Sequence, residues 1–81
     1  MQTRIAVIGI IVENPDSVAR LNALLHEYSN YILGRMGIPH RERGLSIISI
    51  VLDAPNDIIS ALSGKLGILP DVSTKTIYSK V

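Results

Sequence analysis

TRIAVIGIIVE, from Thr3 to Glu13, is a strand-length run that is apolar on both of its faces. Successive residues of a strand point to opposite sides of a sheet. Ile5, Val7 and Ile11 therefore line one side, and Ala6, Ile8, Ile10 and Val12 the other. A strand of this kind is expected to be buried on both faces. The rest of the chain supplies two helical patterns, enough to cover one face of a small sheet, so the second face is expected to meet another copy of the protein.

Reading outward, Asn14 and Pro15 form a helix start: an Asn able to cap free backbone N–H groups, then a Pro whose fixed φ suits the first helical position. Asp16 complements the positive end of the helix dipole. Val18, Leu21, Leu24, Leu25 and Tyr28 recur at helical spacing, with Arg20, Ala23 and Glu27 on the opposite side, which predicts an amphipathic helix of about four turns. Tyr31 to Pro39 reads as a second strand, and Gly34, Arg35, Gly37 and Pro39 suit it to an edge. His40 to Gly44 has hairpin-loop length, and Gly44 can supply a positive φ.

Leu45 to Asp53 is again two-sided, with Leu45, Ile47 and Val51 on one face and Ile48, Ile50 and Leu52 on the other, so it belongs beside the first strand. A second helix is expected to open at Ala54 and Pro55 with Asp53 as its cap, to bury Ile58, Ile59, Leu62 and Leu66, and to end at Gly67. Val72 to Ser79, rich in Thr and Ser and carrying Lys75, suits a water-facing edge strand. The order βαββαβ predicts an α+β, ferredoxin-like sandwich, with an antiparallel sheet ordered 4-1-3-2 and two helices on one face. In that topology the two-sided first and third strands are the inner ones, so polarity and topology agree.

At 81 residues the chain reads as a single domain, near the lower end of what folds without help. It has no Cys, which removes disulfides, thiolate metal sites and a cysteine nucleophile and is compatible with a reducing cytoplasm. A formal net charge of +1 provides no footprint for a phosphate backbone, and three Tyr with no Phe or Trp make a poor base-stacking surface, so direct nucleic-acid binding is not expected. No apolar run approaches the roughly 18 residues needed to cross a bilayer, and the chain is expected to be cytoplasmic.

Two segments could bind a ligand. The turn Asn14, Pro15, Asp16, Ser17 lies where a strand passes into a helix, and its free N–H groups could hold an anionic or zwitterionic small molecule. Glu13 and Asp16 oppose an anion there, and helix capping already accounts for Asn-Pro-Asp. The hairpin His40, Arg41, Glu42, Arg43 is a small basic tip; arginine offers a fork of donors to a carboxylate or phosphate, and the alternative is a solvated turn. His26 and His40 are the two histidines, and without Cys they could complete a tetrahedral metal site only between subunits, so no metal is expected. Gly34 and Gly37 lie on a strand with no following Gly-Lys-Ser or Gly-Lys-Thr, and so form no phosphate loop. No nucleophile elbow, carboxylate pair or metal-ligand helix is present, and a non-enzyme is expected.

Tyr31-Ile-Leu-Gly-Arg-Met-Gly-Ile-Pro39, Leu45-Ser-Ile-Ile-Ser-Ile50, Asp53-Ala-Pro-Asn-Asp57 and Ser63-Gly-Lys-Leu-Gly67 together resemble the family of proposed regulators of the iron-only hydrogenase system, over nearly the whole chain. The resemblance implies an ACT-like or nickel-regulator-like ferredoxin fold and a regulatory role, with no established ligand. That family has Leu-Pro-Gly-Val before its last strand, where this chain has Leu69-Pro70-Asp71-Val72. Amino-acid-binding ACT domains carry Pro-Gly in the first turn, whereas Asp16 follows Pro15 here, which speaks against that ligand class. Nickel-responsive regulators use several His and a Cys, so their site cannot be present. The expected function is a regulatory domain, a homodimer or homotetramer through the open sheet face, responding to a small-molecule effector or a hydrogenase-system protein. The alternatives are a ligand-free interaction module and, third, a small enzyme with an interfacial site.

Overall fold

The two strands that are apolar on both sides lie in the middle of the sheet. The computed structural model describes residues 2–80. Strands β1 (Arg4–Val12), β2 (Ile32–His40), β3 (Leu45–Ala54) and β4 (Val72–Tyr78) form one sheet in the order β2-β3-β1-β4, with every neighbouring pair antiparallel. Helix α1 (Val18–Glu27) links β1 to β2, and α2 (Asn56–Gly67) links β3 to β4.

The β1–β3 register sets opposite each other Ala6 and Leu52, Ile8 and Ile50, and Ile10 and Ile48. These residues are buried and join Leu21 and Leu25 of α1 and Ile59, Leu62 and Leu66 of α2 in one apolar cluster. Both helices therefore cover the same sheet face. On the other face Ile5, Val7, Gly9 and Ile11 stand opposite Asp53, Val51, Ser49 and Ile47.

Local boundaries differ from the sequence reading where tertiary pairing competes with local preference. Asn14 does act as a cap, accepting a hydrogen bond from the Asp16 N–H at 2.9 Å, but it caps a 3-10 turn over Pro15–Ser17 that precedes α1. The α-helical part is consequently 10 residues, shorter than the expected four turns. Tyr31 closes another 3-10 turn, so β2 starts at Ile32, and Leu33 is the extra residue of a bulge between Ile32 and Gly34. Asp53 is not the cap of α2. Pairing of Arg4 with Ala54 extends β3 beyond it, Pro55 takes the cap position without a side-chain bond, and Asp57 accepts the Ile58 N–H at 3.0 Å. His40 belongs to β2, paired with Leu45; the turn itself is Arg41–Arg43, closed by Gly44 in the left-handed region at φ 65.

The segment before β4 is tied to the end of β1. Ser17 is buried and its hydroxyl donates to the Pro70 carbonyl at 2.6 Å, while the Glu13 N–H donates to the Asp71 carbonyl at 2.9 Å. Ser17→Ala is expected to lower stability by about 1 kcal/mol, read by urea denaturation, because one intramolecular hydrogen bond is lost. Within this turn Asp71 has φ 57, and the Val72 N–H reaches the Leu69 carbonyl at 3.3 Å. Pro at the second position and positive φ at the third is the signature of a type II turn, for which Gly is the least strained residue. Asp71→Gly is therefore expected to stabilise the protein by up to about 1 kcal/mol, the scale of the left-handed penalty for a residue with a Cβ, and to raise Tm. An unchanged or lower Tm would show that the Asp71 side chain compensates for its backbone.

Candidate functional site

Three surfaces stand out, each produced by how the strands and helices meet. The first is the uncovered sheet face. Alternation places Ile5 and Ile11 of β1, Ile47 of β3, Ile77 of β4, and Met36 and Ile38 of β2 on it. All six are exposed, Ile77 by 69% and Met36 by 62%. Isolated apolar residues on a surface are ordinary, but a contiguous group across four strands marks an interaction surface. Lys75 stands on the same face opposite Gly9.

The second surface brings together parts of both segments singled out in the sequence. Because β1 pairs with β3 as far as Val12 opposite Ser46, the turn leaving β1 lies against the start of β3 and the end of β2. A hollow of about 200 Å³ results, lined by Pro15 and Val18 on one side and by His40, Arg41 and Leu45 on the other. Its imidazole and guanidinium could hold an anionic group while Val12, Val18 and Leu45 receive an apolar body. Asn14 and Ser17 are adjacent but engaged in the fold, the first as the cap and the second in the bond to Pro70. Asp16 is exposed beside the hollow, and Arg43, exposed at the far end of the hairpin turn, is outside its lining.

The third surface is one that the sequence reading missed. A groove of about 540 Å³ runs between the helices on their outer side, lined by Arg20, Leu24 and Glu27 from α1 and by Lys65, Ile68 and Leu69 from α2 and its end. Lys65 pairs with Glu27 at 3.8 Å and lies 5.1 Å from the centre of the Tyr28 ring. The Tyr28 phenol first, and then the Glu27 carboxylate, hold the Lys65 ammonium above its ordinary pKa. Ile68 is 82% exposed at the groove's mouth. Arg20 and Glu27 had the pattern of a solvated helix face, and no single-helix period reveals that a second helix supplies the opposite wall. Similarly, His26 lines a hollow with Asn22, Leu25, Ser29, Ile32 and Arg35, where Arg35 donates to the Asn22 side chain at 3.1 Å.

Among the described residues no group of three or more His, Asp or Glu is placed to hold a metal ion, and no helix is long and apolar enough to cross a membrane.

Comparison with known proteins places the geometry in context. The family model for TM1266-like proteins, described as "Iron-only hydrogenase system regulator, putative", matches residues 4–76. The structure of the uncharacterized protein TM1266 from Thermotoga maritima superposes with a TM-score of 0.94 at 41% sequence identity, over 98% of this chain and 100% of that one. A formyltetrahydrofolate deformylase from Pseudomonas putida shares the fold at a TM-score of 0.64 and 12% identity, over 89% of this chain and 28% of that one. A protein of unknown function from Galdieria sulphuraria does so at 0.66 and 14%, over 99% of this chain and 47% of that one. No curated protein matches the chain.

Proposed function

The chain belongs to the TM1266-like family, and from that premise we propose that it is a non-enzymatic regulatory domain of the iron-only hydrogenase system, working in the cytoplasm as a homo-oligomer. We read its fold as the ACT-like form of the ferredoxin-like sandwich, in which the helix-free sheet face is the assembly surface. The observation that carries this reading is the open face itself: Ile5, Ile11, Ile47, Ile38, Met36 and Ile77 are contiguous and uncovered on a domain too small to leave such area wet at no cost. A self-complementary patch on identical subunits closes as a dimer, or as a tetramer with a second contact.

Asn14, Pro15, Asp16, Ser17, His40, Arg41 and Arg43 remain the proposed effector region. Pro15, His40 and Arg41 line its hollow, Asn14 and Ser17 brace the turn beside it, Asp16 is exposed at its side, and Arg43 stands at the far end of the hairpin turn. A small anionic molecule with an apolar part suits that lining, and a second subunit would deepen a hollow that a single chain leaves shallow. A second reading, a protein-binding module without a small ligand, is favoured by the groove between the helices, where Ile68 projects beside Arg20 and Lys65 and would accept an acidic, apolar segment of a hydrogenase-system protein.

Native mass spectrometry of the protein as purified tests the proposal. An oligomer carrying extra mass supports an effector-sensing regulator, and a clean oligomer favours the protein-binding reading. A monomer at all concentrations would overturn assembly through the sheet.

A further inference from the structure

Gly9 occupies the centre of β1, an inner strand, where glycine has no local justification. The pairing of β1 with β3 and with β4 passes through Gly9 without a bulge, and its φ is not positive. A Cβ built there would meet nothing closer than the Lys75 carbonyl at 4.0 Å, an ordinary contact. Glycine weakens a strand interior, because it has the most freedom to lose and no side chain to pack, and it marks a close approach when no bulge or bend requires it. Within this chain nothing approaches. What glycine provides at this point is an opening: a trough of about 420 Å³ in the uncovered face, floored by Gly9 and Ser49, walled by Ile11 and Ile47, and closed at one end by Lys75.

We infer that this trough receives an apolar side chain from the same face of a second copy of the chain, so that Gly9 is the hole of a knob-and-hole contact between two stacked sheets. This rests on the reading of the open face as the assembly surface. Packed sheets lie about 10 Å apart and hold together by interdigitating side chains, so a face of large residues needs gaps as well as projections. Met36 and Ile77, the most exposed of the large side chains placed on this face by the strand register, are such projections. The area suffices: with β1 nine residues long, a four-stranded face measures about 30 Å by about 19 Å, and two such faces bury roughly 1,100 Å², above the threshold of about 1,000 Å² for a specific interface. The lining is apolar apart from Lys75 and the Ser and Thr hydroxyls, as suits a side chain more than a charged metabolite.

The test is Gly9→Leu, with Gly9→Ala as the milder variant, compared with the unmodified chain and with Ile11→Glu by native mass spectrometry over a dilution series and by thermal melting. The Gly9→Ala methyl makes only an ordinary contact with the Lys75 carbonyl, and the further leucine atoms extend into the trough, so each subunit is expected to keep its fold. Gly9→Leu is expected to weaken association at least about tenfold and Gly9→Ala less, as overfilling a packed contact does. If Ile11→Glu dissociates the protein while Gly9→Leu associates like the unmodified chain, the trough inference is overturned and the assembly surface stands. If Gly9→Leu keeps the subunit number but loses a bound small mass, the trough is a ligand seat and the inference is overturned. If the unmodified chain is a monomer throughout, both readings fail together.

Discussion

Ile8→Glu is expected to leave the protein without a cooperative thermal transition. Ile8 is fully buried, lies opposite the equally buried Ile50, and belongs to the single cluster between sheet and helices. The substitution loses roughly 2 kcal/mol of apolar transfer. It also places a carboxyl among apolar side chains, where the Thr76 hydroxyl opposite on β4 is already bonded to Ser63 at 3.0 Å. Burial of that kind raises a carboxyl pKa by several units, and keeping the group protonated at pH 7 costs about 1.4 kcal/mol for each of the roughly 3 units between its unfolded pKa and neutrality. Together these approach the whole stability of a domain of this length, about 4–12 kcal/mol. The sign with pH is definite. A carboxyl whose folded pKa exceeds its unfolded value costs nothing in ionisation below about pH 4, and the penalty grows as pH rises from there towards the folded pKa. Any residual folding of Ile8→Glu should therefore be found in acid and lost towards neutrality, by circular dichroism. A sharp transition at pH 7 with native Tm would show that the helix-covered face is not the core.

Ile11→Glu, three residues further along the same strand, is expected to have the opposite outcome: a folded subunit that no longer assembles. Ile11 is 43% exposed and faces away from both helices, so in a single subunit the carboxylate stays hydrated, and a surface change of this kind costs within about 0.5 kcal/mol. In an assembled sheet face the same carboxylate would be enclosed among Ile47 and its neighbours with Lys75 of β4 as its nearest possible partner, and burying even a paired charge carries a desolvation cost that the isoleucine does not. An assembled protein also melts at a temperature that depends on concentration, because association draws on the native state alone. Unmodified protein should show that dependence and Ile11→Glu should not. An oligomer retained by Ile11→Glu at the same dissociation constant would move the interface away from the sheet.

The contrast between Ile8 and Ile11 marks how far the sequence can be read. Period-two alternation in β1 and β3 showed that both faces of each were apolar, and the same alternation separates the residues now found in the core from those now found outside it. It could not say which face the helices take, since Ile5, Val7 and Ile11 are as apolar as Ala6, Ile8 and Ile10. The helix start at Asn14 and Pro15 and the positive φ of Gly44 were legible because each depends on a few adjacent residues. Asp53 was misread for the complementary reason: a cap and a strand end compete there, and pairing of Arg4 with Ala54 decides in favour of the strand. The candidate binding surfaces were legible only in fragments. The Asn14–Ser17 turn and the His40–Arg43 hairpin were each visible, but the groove between Arg20 and Lys65 was not, since each helix contributes one wall.

The sequence by itself determined the element order, the two inner strands, the presence of two apolar sheet faces and the family resemblance, because these depend on periodicity and on residue types along the chain. The tertiary structure alone decided which face is covered, that Pro15 shares a hollow with His40 and Arg41, that Asp71 carries a left-handed backbone, and that Gly9 opens a trough above β1. Those features depend on strand register and on which side of the sheet the connections cross, and register is settled by contacts between residues tens of positions apart.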